Sequence, residues 1–117
     1  MTQLIKVIAK FVNKKTGKPV TGEKYMVKLY DNDIVSDDFI GEGKLNNEGV
    51  VEILADLGKA VSPDSPVERK PDLYFELFEE YKVIFQSNVF KDVEFLKENK
   101  IPGRKSSLTR DFGTFEV

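Results

Sequence analysis

The chain has 117 residues and a formal net charge of −2, and it contains no cysteine, histidine or tryptophan. Those absences exclude disulfides, thiolate and imidazole metal sites, and any nucleophile activated by a histidine base. The faintly acidic balance also argues against a nucleic-acid binder, which carries a basic face.

Taken in chain order, the opening residues 1–10 hold a short apolar stretch broken by Lys6 and Lys10. That reads as neither a signal peptide nor a membrane span, so a cytoplasmic location is the default expectation and membrane association is not expected. The Lys-rich, Cys-free usage fits a bacterial chain. Residues 4–12 alternate, with Ile5, Val7, Ala9 and Phe11 on one side and Lys6 and Lys10 on the other. Period two over so short a span predicts a half-buried strand. Residues 13–24 form a polar loop around Thr16, Gly17, Lys18, Pro19, Thr21 and Gly22. Residues 25–30 alternate again, Tyr25, Val27 and Leu29 against Met26, Lys28 and Tyr30. Strands over 39–45 and 50–54 flank Asn46, Asn47, Glu48 and Gly49, a hairpin turn in which Gly49 supplies positive φ.

Residues 58–71, with Pro63, Pro66 and Pro71, make a long connection with room for one short helix. Leu73, Phe75 and Leu77 then alternate with Tyr74, Glu76 and Phe78, and residues 79–82 turn the chain into a strand over 83–87. Residues 90–100 fit helix or strand equally, 101–109 read as a basic Gly/Pro/Ser loop, and 113–117 as a final edge strand. Short strands without long amphipathic helices predict one all-β domain over 1–117, a two-sheet antiparallel β-sandwich. Val7, Phe11, Val27, Leu29, Val51, Ile53, Phe75, Leu77 and Phe85 are its expected core. Alternating strand direction gathers Asp31, Asp33, Asp37, Asp38, Asp56, Asp64 and Asp72 at one end, here the top. Lys14, Lys15, Lys18 and Lys24 fall at the bottom.

Residues 31–41 carry the densest chemistry: Asp31, Asp33, Asp37 and Asp38 with no basic residue between them. Carboxylates this close either attract a cation or serve as turn formers that bond their own backbone. Calcium takes six to eight oxygens in flexible geometry, so these four aspartates are the candidate calcium ligands, with Asp56, Asp64 or Asp72 completing the shell. The segment is not an EF-hand loop, because Ser36 stands at the sixth position where that loop needs glycine. Beyond calcium, no cofactor is implied. Tyr30, Tyr74 and Phe78 point away from the core face and suit either a partner or a covering element. Arg104 and Lys105 with Lys97 and Lys100 read as a solubilising basic loop, and Arg69 and Lys70 as neutralisers of Asp72.

Gly17-Lys18-Pro19-Val20, residues 25–33, Asp37-Asp38-Phe39-Ile40-Gly41-Glu42 and residues 47–53 together resemble the transthyretin-like domains. The likeness covers roughly residues 5–87 and leaves the tail from 88 unmatched. It implies a prealbumin-type sandwich used as an accessory or interaction module. Asp31 with Asp33, and Asp38 to Gly41, also look like the third calcium loop of C2 domains, although no earlier loop carries the paired aspartates such a site uses. The hydroxyisourate hydrolases of the same fold use histidines and a C-terminal Tyr-Arg-Gly-Ser, whereas this chain ends Phe115-Glu116-Val117. A self-crosslinking triple drawn from Lys6 or Lys10, Glu76 and Asp111, and the kinase-like Asp111-Phe112-Gly113, are chance arrangements. The functional expectation is a non-catalytic module that binds another protein through loops or an edge strand, with calcium-dependent binding as the alternative.

Overall fold

Each strand's inner face is set by the alternation of its side chains. The computed structural model describes residues 4–32, 37–56, 71–93, 96–97 and 108–117. In it, β1 (Leu4–Val12) buries Ile5, Val7, Ala9 and Phe11 and leaves Lys6, Ile8 and Lys10 only half-buried on its other side. The remaining strands are β2 (Tyr25–Asp31), β3 (Asp38–Lys44), β4 (Val50–Asp56), β5 (Leu73–Glu79), β6 (Lys82–Gln86), β7 (Leu96–Lys97) and β8 (Leu108–Glu116). They form two four-stranded sheets, one in the order β4-β1-β8-β7 and the other in the order β3-β2-β5-β6. The chain is therefore an all-β, two-sheet sandwich. No helix occurs among the described residues, and residues 58–70, most of the stretch expected to hold one, lie outside them.

Of the expected core, Val7, Phe11, Val27, Leu29, Val51, Ile53, Phe75 and Leu77 are all buried, while Phe85 is partly buried and packs against them. Aromatic rings dominate the side of the core nearest β6 and β8. Phe115 stacks on Phe11 at 5.3 Å, Phe112 meets Phe75 edge-on at 5.1 Å, and Phe90 meets Phe112 at 5.0 Å. These offset and edge-to-face arrangements suit the ring quadrupole.

The opposite flank closes with almost no side chain at all. Gly41 and Gly43 of β3 lie against Ile53 and Val51 of β4 across the two sheets. A Cβ built on Gly43 would sit 2.8 Å from Val51 Cγ2, and one on Gly41 2.9 Å from Ile53 Cγ2. Residues 46–49 consequently do not make the hairpin read from the sequence. β3 and β4 belong to different sheets, and the turn is an arch that carries the chain from one to the other. Asn46 Oδ1 accepts the Glu48 and Val50 amides at 2.8 and 3.0 Å, which bends the arch. Gly49, at φ 75°, brings its carbonyl to the Phe11 amide at 2.8 Å.

The C-terminal strand also differs from its sequence reading. β8 begins at Leu108, not 113, and it lies inside its sheet between β1 and β7, with Ile5 opposite Leu108 and Phe11 opposite Phe115. It runs parallel to β1, so the sheets are antiparallel at every other strand pair but not at this one. A bulge between Ile8 and Lys10 absorbs an extra β8 residue at Gly113, whose φ is 83° and whose amide donates to Asp111 Oδ1 at 2.8 Å. Alternation within a strand says nothing about which neighbour it chooses. That is why the hairpin and edge assignments failed while the core register held.

Because Val51 and the Glu52 carbonyl leave no room for a methyl at Gly43, Gly43→Ala should lower unfolding stability by about 1–3 kcal/mol. Urea unfolding midpoints measure it, and an unchanged midpoint would show that the two sheets are not held together at this flank.

Candidate functional site

The strand directions gather Asp31, Asp37, Asp38 and Asp72 at one end of the β3-β2-β5-β6 sheet. β2 finishes at Asp31, which lies opposite Asp38 of β3 and Leu73 of β5. Asp56, by its pairing with Leu4, lies at the end of β4, in the other sheet. Asp33 and Asp64 fall outside the described residues.

Most of the carboxylates brought together there act as ties between chain segments. Asp31 is 2% exposed, and its Oδ1 accepts the Asp72 amide at 3.2 Å. The Asp72 carbonyl accepts the Asn32 amide at 2.7 Å, so β2 and the start of β5 are bonded at this corner. Asp72 Oδ1 in turn accepts the Asp92 amide at 2.9 Å, drawing in the segment after β6. Pro71 and Leu73 complete that anchorage by bonding Val93 and Phe90 through the backbone. Asp37 Oδ2 accepts the Tyr74 hydroxyl at 2.6 Å and ties β3 to β5. Among the described residues no group of three or more carboxylates is placed to hold a metal ion. What this end does chemically, on the residues described, is satisfy backbone donors that the strand ends leave over.

Beside it, the outer face of the β3-β2-β5-β6 sheet is ordered in rows. Phe39, Tyr30 and Tyr74 lie opposite one another, then Glu42, Lys28, Glu76 and Gln86, then Lys44, Met26, Phe78 and Val83. Tyr30, Tyr74 and Phe78 thus face outward as read from the sequence, although Tyr74 itself is buried among its neighbours. Tyr30 stacks on Tyr74 at 5.3 Å and meets Phe39 edge-on at 5.9 Å. Phe39 faces outward because β3 bulges between its pairings to Leu29 and Tyr30, which turns Ile40 into the core. Lys28 lies 4.7 Å over the Phe78 ring, a cation–π contact. Burial pushes the Tyr74 hydroxyl well above its ordinary range, and the Asp37 carboxylate adds to the effect. Burial and the Glu76 carboxylate likewise raise Tyr30.

A second place was read from the sequence as a turn over residues 79–82 but not as a candidate site. The β5–β6 turn has only two residues between Glu79 and Lys82, and both Glu80 and Tyr81 have positive φ, 47° and 72°. Such turns ordinarily use Asn-Gly, so two side chains are held here in strained backbone. The Glu80 amide bonds the Lys24 carbonyl at 2.9 Å and Lys24 Nζ pairs with Glu79 at 2.8 Å, which pins the turn from the neighbouring loop. Tyr81 is fully exposed, and Val83 and Ile84 beside it are exposed as well. Ile84 is the surplus residue of a bulge between Leu77 and Phe78. The two-residue interval between alternating strands was the legible signal for this turn; its strain was not.

No protein-family model matches the chain, and no curated protein matches it. Among solved structures it is similar to a 9R-lipoxygenase from Cyanothece, at 23% identity and a TM-score of 0.60, over 98% of this chain. The chain spans 16% of that lipoxygenase chain. At this identity the likeness concerns the fold.

Two outcomes follow from the corner. A tyrosine whose hydroxyl is raised contributes stability below its unfolded value, about pH 10, and loses it as pH rises further. Urea midpoints should therefore fall above about pH 10, and Tyr74→Phe should lessen that fall, with tyrosinate absorbance losing its latest-titrating component. If Tyr74→Phe leaves the alkaline profile unaltered, the Tyr74–Asp37 bond does not persist in solution. Separately, calcium and magnesium at matched ionic strength should move the thermal midpoint equally, since Asp31, Asp37 and Asp72 already hold backbone and hydroxyl donors. A calcium-specific rise, lost in Asp37→Asn, would show an ion site in this loop.

Proposed function

We propose that the chain is a non-catalytic accessory module that binds another protein, and that the β5–β6 turn is its contact element. The observation that carries this reading is the strained, pinned turn that presents Tyr81 to solvent with Val83 and Ile84 beside it. Backbone strain of this kind costs on the order of 1–3 kcal/mol and is kept where a surface has work to do. Tyrosine is favoured at binding hot spots because its ring buries a large area at little conformational cost. The Ile84 bulge twists the sheet edge, which disfavours continuous strand addition and favours recognition by side chains at the turn. The lack of any imidazole or thiol leaves the usual hydrolytic nucleophiles without their activating partners. A small sandwich that is similar to a minor part of a longer enzyme chain fits an accessory role.

A paired substitution separates binding from folding. Replacing Glu80→Asn together with Tyr81→Gly should relax the turn and raise stability by about 1 kcal/mol, while removing the exposed ring. Photocrosslinking from position 83 in cells should yield a partner adduct with the unaltered chain and lose it in the double variant. An adduct that survives in the stabilised variant would remove the turn from the interface.

A further inference from the structure

The outer face beside the carboxylate corner has a chemistry of its own. Its end row is aromatic: Phe39, 50% exposed, then Tyr30, then Tyr74. Carboxylates border that row. Asp37 lies two residues before Phe39 and accepts the Tyr74 hydroxyl, and Glu42 and Glu76 stand in the next row on either side of Lys28. Lys28 is the only cation in these two rows, and its ammonium is drawn toward Phe78, in the row beyond. Three carboxylates against one lysine leave the aromatic end of the face electronegative. Glu76 and Glu42 both act electrostatically on Tyr30, and Asp37 and Glu76 on Tyr74, so the rings share the field of these acids.

We propose that the Phe39–Tyr30–Tyr74 row with Asp37, Glu42 and Glu76 is a docking surface for an arginine-bearing basic segment of a partner protein. An aromatic surface attracts cations through the ring quadrupole, and a negative surround strengthens that attraction. Guanidinium suits the site better than ammonium. Its flat face lies on an exposed ring such as Phe39, while its edge donates two parallel hydrogen bonds to a carboxylate such as Glu42. Three adjacent strands span roughly 10 Å, about the length of three residues of an extended chain. Arginines at alternate positions of such a segment would fall on one side of it and reach both ends of the row. The inference keeps the protein-binding reading but uses a surface apart from the β5–β6 turn, so the two stand or fall separately.

Calorimetric titration with three synthetic extended peptides tests it, carrying arginine, lysine or citrulline at alternate positions. The arginine peptide should bind, the lysine peptide more weakly, and the neutral citrulline peptide not at all. Phe39→Ala and Glu42→Gln should each weaken arginine-peptide binding roughly five- to tenfold, with the thermal midpoint unchanged. Should Phe39→Ala disturb the fold, Phe39→Leu keeps the apolar bulk, removes the ring face and should weaken binding in the same direction. The turn variant with Glu80→Asn and Tyr81→Gly should bind the peptide as the unaltered chain does. Equal binding of arginine and lysine peptides, indifferent to Phe39→Ala, would reduce the face to plain charge attraction and overturn the proposal. Absence of binding by the arginine peptide would overturn it too.

Discussion

The contact on which the sandwich depends is the approach of β3 to β4, where two glycines face two β-branched side chains across the sheets. Everything around it is arranged to permit that approach. The arch at Asn46–Gly49 must hand the chain from one sheet to the other within a few residues, and it does so by bonding to Phe11 in the middle of the core. The flank at β3 and β4 is closed by backbone, and phenylalanines fill the space between the sheets on the side of β6 and β8. Glycine on one side and phenylalanine on the other are therefore two halves of one packing solution. Interiors fill to near-crystalline density, so side chains that vanish at one flank are matched by large ones elsewhere between the sheets.

The polar end answers a different demand. Strands that stop leave amides without partners, and leaving such donors buried and unpaired costs about as much as a lost hydrogen bond. Asp31 and Asp72 supply acceptors for such amides where β2 ends and β5 begins, and Asp37 takes the Tyr74 hydroxyl just before β3. Ser87 does the same beyond β6, where its hydroxyl accepts the Phe75 amide at 2.8 Å and donates to the Asn88 carbonyl at 2.9 Å. The acidic character of this end is thus partly a by-product of construction. Its surplus charge nevertheless remains on the surface, next to aromatic rings, and a surface uses whatever field its framework leaves behind.

Much of this was legible in the residues themselves. Ile5, Val7, Ala9 and Phe11, or Leu73, Phe75 and Leu77, reveal their shared face because period two is a local property of extended chain. The ends at which the loops collect follow from the same local rule plus alternating strand direction. What stayed hidden depends on contacts between distant segments. Nothing within residues 46–49 distinguishes a hairpin from an arch, since the difference lies in Gly41 and Gly43 meeting Val51 and Ile53. Bulges at Ile40, Ile84 and Gly113 each shift the register by one residue, and their causes lie in the neighbouring strand. The acidic loop was recognisable as a feature, but its bonds to Asp72 and Tyr74 came from segments far along the chain.

The parallel pairing of β1 with β8 places the first strand of the chain against the last. A strand joined to its neighbour across nearly the whole sequence can form only after the loop between them has been closed, which makes folding slow relative to local hairpins. During synthesis β1 emerges early with its apolar side chains and waits for β8, which brings Phe112 and Phe115. Until then the β2-β5 pair can assemble but its inner face, Phe75 included, has only part of its cover. The nascent chain thus passes through a half-sandwich with open strand edges, and it is in that interval that a chaperone, or another copy of the chain, would meet it.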